Sequence, residues 1–174
     1  EDIEKKKVSE DVFILEKQDA SQDYVYLEEY RNLYYENGEV YKLQNLVVNM
    51  KSDAVDNVNL ELLSFVKKSF HDMRVENGKL KVGQVIFYDY YITDKYISVL
   101  QKYYSYVNGS KGEEYDNVYV ISLENGENLS KDALLQAYGY DEEKLYSLLE
   151  SKIQSDDVLY TLVNIKNNGY HLYV

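Results

Sequence analysis

His71 and His171 are the only imidazoles in the chain. They are far apart in sequence and lack the i, i+4 spacing with which a helix presents two nitrogen ligands to one metal. Cysteine is absent, which removes disulfides, thiolate metal sites and thiol nucleophiles. No Gly-x-Ser-x-Gly elbow is present, so serine hydrolase chemistry has no signature. The glycine-rich phosphate patterns GxGxxG and GxxxxGK are also missing, and no cofactor is expected. With 31 acidic residues, some carboxylate pair will fall at glycosidase separation by chance, and it means little without a cleft. Asp53, Asp56, Asn57 and Asn59 offer oxygen ligands but do not follow the EF-hand spacing or its central glycine. Acids in the first turn of a helix account for the two aspartates more simply. These residues predict neither an enzyme nor a metal site.

Tyrosine is the other chemistry-bearing side chain, with 21 Tyr against 4 Phe and no Trp. Tyr88, Tyr90 and Tyr91, and then Tyr103, Tyr104 and Tyr106, fall on two runs that read as pairing strands. Cross-strand ladders would bring several of these rings to one face. Tyr103 is expected in the core. Tyr88, Tyr90, Tyr104 and Tyr106 are expected to be exposed, as a contact platform for a sugar or a protein. The adjoining glycine loop adds Asn108, Ser110, Lys111 and Glu113 to this candidate site. Lys111 reads either as a contact for an anion or a partner carboxylate, or as a solvated loop lysine. Half-buried strands that keep their hydroxyls wet are the plainer account of the same tyrosines.

The elements that must position these residues follow from punctuation and periodicity. Five of the eight glycines (Gly38, Gly78, Gly109, Gly126 and Gly169) follow Asn, the dipeptide that best tolerates the positive backbone angles of tight hairpins. Tyrosine- and valine-rich runs between them predict strands near 8–15, 24–35, 39–49, 79–92, 96–107, 118–123, 158–165 and 170–174. The polar stretch 16–23 reads as a loop or linker. Three helices interrupt the strands. Ser52 caps the first, with Val55, Val58, Leu62, Val66 and Phe70 as its apolar stripe and His71 near its C-terminal end. Ser130 caps a short second helix bearing Leu134 and Leu135. Asp141 caps a third, whose stripe is Leu145, Leu148, Leu149 and Ile153. The expected fold is α+β, mostly antiparallel sheet with about three helices. An N-terminal strand or linker (1–23) precedes two α/β halves (24–92 and 93–174) packed as one unit, with a seam near 91–95.

A formal charge of −12 at pH 7 and 45% hydrophobic residues fit a globular chain that repels nucleic acid and anionic lipid and favours basic partners. Solubility alone is the plainer reason for such a charge. No run of 18 apolar residues is present to span a membrane. The opening Glu1-Asp2-Ile3-Glu4 has no signal-peptide pattern, which fits a mature form whose leader or upstream anchor has been removed.

The stretch from Tyr103 to Leu135 orders a tyrosine-rich strand, the loop 108–112, the strand-and-turn segment 118–126 and the Leu-x-x-Leu-like helix segment 129–135. The first predicted helix carries an apolar-Asn pattern, Val58-Asn59-Leu60-Glu61-Leu62, and a terminal hairpin is expected over 162–174. This order resembles the paired extracytoplasmic domain of Gram-positive bacteria found in the lysozyme-sensing anti-sigma factor and ahead of the catalytic domain in a peptidoglycan deacetylase. Lys111 stands where that family has a loop histidine. The resemblance covers roughly residues 24–174. It implies a non-enzymatic binding or sensing module at the cell surface, with a protein ligand such as lysozyme; a glycan-binding accessory domain of a wall enzyme is the alternative it leaves open.

Overall fold

In a computed structural model, the residues described are 15–34, 40–77 and 79–152. The predicted strands at 8–15, 158–165 and 170–174, the turns at Gly38, Gly78 and Gly169, and His171 lie outside them, apart from Leu15. The fold class is α+β, with antiparallel sheets and three helices. Contacts divide the chain into two compact units, one reaching to Asn128 and the other beginning at Leu129.

In the first unit, β1 (Val25–Tyr34) and β2 (Val40–Val48) form a two-stranded antiparallel sheet. Helix α1 (Asp53–Asp72) follows. Then β3 (Arg74–Glu76), β4 (Lys79–Ile92), β5 (Tyr96–Val107) and β6 (Ser110–Ser122) form a second antiparallel sheet in sequence order. Helix α1 starts where Ser52 accepts a hydrogen bond from the Ala54 N–H, with Asp53 and Asp56 in its first turn, where the helix dipole favours negative charge. Its stripe Val55, Val58, Leu62 and Val66 is buried. Val55, Val58 and Leu62 meet Leu46 and Val48 of β2, Ile97 and Val99 of β5, and Ile121 and Leu123 from the β6 end in one core.

The core is fastened by side-chain amides. Asn59, the asparagine of the apolar-Asn pattern, donates to the Val48 carbonyl at 2.8 Å and accepts from the Val48 N–H at 2.9 Å. It therefore acts as a short strand segment that satisfies the outward edge of β2. Asn49 is buried; it accepts from the Asp19 N–H at 2.8 Å and donates to the Asp19 carbonyl at 2.7 Å and the Asp23 carbonyl at 3.0 Å. The stretch 16–23 is thus a loop tied to the β2–α1 junction, not a linker. Backbone bonds add to this, with the Lys51 N–H donating to the Glu16 carbonyl at 2.9 Å.

Two expectations are corrected here. The segment 91–95, read as a seam between halves, is a hairpin connection inside one sheet: Ile92 pairs with Ile97, and the Thr93 N–H donates to the Tyr96 carbonyl. Strand β6 begins at Ser110 instead of 118, because Asn108 (φ 49°) and Gly109 (φ 90°) alone make the turn. The polar run after it belongs to the exposed outer end of a long hairpin, where no apolar alternation is needed.

In the second unit, α2 (Lys131–Ala137) is capped by Ser130, which accepts from the Ala133 N–H at 3.2 Å. Helix α3 (Glu142–Lys152) has Asp141 accepting from the Lys144 N–H at 2.8 Å. Leu134 and Leu135 are buried. Of the stripe predicted on α3, Leu145 and Leu149 are half-buried and Leu148 is exposed, and Ile153 lies outside the described residues.

Candidate functional site

Register decides which tyrosines share a face. The ladder pairs Tyr88 with Gln101, Tyr90 with Val99, Ile86 with Tyr103, Phe87 with Lys102, and Val85 with Tyr104. Side chains alternate along each strand. Tyr88, Tyr90, Gln101 and Tyr103 therefore point to the α1 face, and Tyr104 and Tyr106 to the opposite one. The single platform expected from Tyr88, Tyr90, Tyr104 and Tyr106 is split in two by this parity.

Tyr88 is half-buried, not exposed. Its hydroxyl donates to the Gln44 carbonyl of β2 at 3.2 Å and accepts from Gln101 Nε2 at 3.2 Å. Gln101 is fully buried; it also reaches the Leu62 carbonyl at 3.4 Å and accepts from Asn117 Nδ2 at 3.1 Å. The network links the two sheets and α1, and desolvation pushes the Tyr88 phenol above its usual pKa. Tyr88 is thus a fastening between layers. Tyr90 is exposed, as expected, and so is its neighbour Tyr91.

On the opposite face, Tyr104 and Tyr106 are half-buried. The Lys111 ammonium lies 4.3 Å from the centre of the Tyr104 ring and 2.9 Å from a Glu114 carboxylate oxygen. Lys111 is therefore engaged within its own hairpin. Asn108, Ser110, Lys111 and Glu113 are all exposed at that hairpin's tip.

The α1 face of the outer hairpin holds a cluster that sequence reasoning missed. Tyr103 and Tyr115 are cross-strand partners whose rings stack at 5.8 Å between centroids, with 27° between planes. Phe65 of α1 closes on Tyr103 at 4.5 Å. Tyr103, expected in the core, is half-buried between them. Tyr115 is 51% exposed, and its hydroxyl donates to Glu113 Oε2 at 2.8 Å; that bond and the carboxylate's charge raise the Tyr115 pKa. Beside Phe65, a shallow groove of about 580 Å³ runs along α1, lined by Asn57, Leu60, Glu61, Ser64, Phe65 and Lys68. Leu60 is 61% exposed there. Glu61 of this lining also acts on β6: burial, and then the charge and hydrogen bonding of Glu61, push the Tyr119 phenol up to about 12. The missed signal was the i, i+2 series Glu113, Tyr115, Asn117 and Tyr119, which places acid, aromatic, amide and aromatic on one face of β6.

Among the described residues, no group of three His, Cys, Asp or Glu could hold a metal ion. None of the helices among them is long and apolar enough to cross a membrane. No protein-family model matches the chain, and no curated protein matches it either.

Proposed function

We propose that this chain is a non-enzymatic extracytoplasmic module that binds or senses a basic protein, with a lysozyme-like ligand as the form suggested by its family resemblance. The observation that carries the reading is the acidic, aromatic outer hairpin. Glu113 and Tyr115 are exposed together on a strand of a chain with net charge −12. Complementary charge of this kind accelerates encounter and selects partners more than it adds affinity. The test is calorimetric titration with hen lysozyme at about 50 mM and about 300 mM salt, a range over which screening of exposed charges grows strongly. Binding that weakens at the higher salt is expected; no heat at either salt removes the lysozyme form of the proposal.

A second reading, a glycan-binding accessory domain, is favoured by the exposed rings of Tyr90, Tyr91 and Tyr115, since flat aromatic faces suit sugar rings. Co-sedimentation with purified peptidoglycan separates the two. Retention on the wall polymer without response to lysozyme selects the accessory role.

A further inference from the structure

The two faces of the outer hairpin carry the same arrangement, filled on one side only. On one face, the Tyr104 ring, the Lys111 ammonium and the Glu114 carboxylate form a closed set: cation over ring at 4.3 Å, cation to carboxylate at 2.9 Å. On the other face, Tyr115 is stacked on Tyr103 on one side, hydrogen-bonded to Glu113 through its hydroxyl, and half exposed. Ring and carboxylate are both in place there. Among the described residues, cations lie over Tyr24, Tyr30 and Tyr104, and none lies over Tyr115.

A carboxylate accepts several hydrogen bonds at once, so Glu113 can hold the Tyr115 hydroxyl and a second donor together. A guanidinium suits the position better than an ammonium, because its plane stacks on a ring while its edge donates two parallel bonds to a carboxylate. Next to this corner, Phe65 leads into the α1 groove with Leu60 exposed, which suits an apolar side chain. Acid and ring at one point and an apolar groove beside it describe an extended segment that carries arginine next to a large aliphatic residue.

We infer that the Glu113–Tyr115 corner and the adjoining α1 groove bind an arginine-bearing segment of a partner protein, the guanidinium seated on Tyr115 and Glu113 and an aliphatic neighbour on Leu60 and Phe65. The inference rests on the basic-protein reading and gives it a place on the surface.

The probe is a fluorescein-labelled peptide alternating arginine and leucine, followed by anisotropy on the full chain, with lysine and glutamate counterparts and a chito-oligosaccharide as competitors. The expected order is arginine above lysine, with no binding by the glutamate peptide and no competition by the sugar. Tyr115→Ala is expected to weaken the arginine peptide about tenfold, the scale of a partly desolvated cation–π contact. Glu113→Gln should weaken it about fivefold, as expected for loss of an exposed charge pair. Tyr140→Ala, at an exposed ring of the second unit, should leave it unchanged. Circular dichroism melting of each variant checks folding. Should Tyr115→Ala fail to fold, Glu113→Gln carries the test. Peptide binding that ignores both substitutions, or a sugar that competes in a Tyr115-dependent way, overturns the inference. Lysozyme binding that survives Tyr115→Ala would overturn this site and leave the proposed function standing. Arginine-peptide binding that depends on Tyr115, with no response to lysozyme, would leave this site standing and remove the lysozyme form of the proposed function.

Discussion

At the residue scale, two side chains show how far type and spacing reach. Asn59 was legible as part of an apolar-Asn pattern, but its role was not: both amide bonds go to Val48, which lies 11 positions away. Asn59→Leu leaves the buried Val48 N–H and carbonyl without partners and should cost about 2–3 kcal/mol, read as a lower denaturant midpoint. Tyr119 is a plain strand tyrosine in sequence. In the fold, burial and then Glu61 raise its pKa to about 12 from a usual value of 10.0. A phenol that holds its proton more tightly when folded contributes stability that is complete below about pH 10 and is lost as the pH rises toward 12. Absorbance titration should show a late-ionising tyrosine fraction that includes Tyr119. Glu61→Gln should move that transition to lower pH by removing a neighbouring negative charge.

At the element scale, the helices and long strands could be read because each has a local cause. Ser52, Ser130 and Asp141 sit where caps are needed, and α1 buries Val55, Val58, Leu62 and Val66 at the spacing of one helical face. Strand β3 and the outer half of β6 were missed because exposed polar strands carry no hydrophobic alternation; register with a neighbour defines them. The Asn125–Gly126 turn was also legible, but what it touches was not. Gly126 has φ 71°, its carbonyl accepts from Ser52 Oγ at 2.7 Å, and a Cβ there would lie 2.5 Å from a Leu15 methyl and 2.6 Å from Ser52 Cβ. The turn after β6 is therefore seated on the cap of α1. Gly126→Ala should destabilise by about 2–4 kcal/mol, combining positive-φ strain with a contact that cannot be relieved without moving the cap. Thermal unfolding checks this, and a Tm within a degree of the parent would contradict the seating.

At the scale of the whole molecule, composition set the net charge, and the order of strands and capped helices set the α+β class. The charge of −12 predicts that binding to a basic protein depends on association rate, with the on-rate falling as salt rises and the off-rate changing little. Stopped-flow mixing with lysozyme, the ligand proposed above, checks this; an off-rate that carries the whole salt dependence would point to a buried charge pair instead. By itself the sequence determined the caps, the apolar stripe of α1, the turns at Gly109 and Gly126 and the tyrosine-rich strands, since each depends on residues within one or two turns of chain. Only the tertiary structure decided which tyrosines face together. Pairing Tyr88 with Gln101 and Val85 with Tyr104 sends alternate rings to opposite faces, and a shift of one residue would exchange them. It also placed Tyr103 between Tyr115 of its own hairpin and Phe65 of α1, a meeting of helix and hairpin that no local pattern encodes.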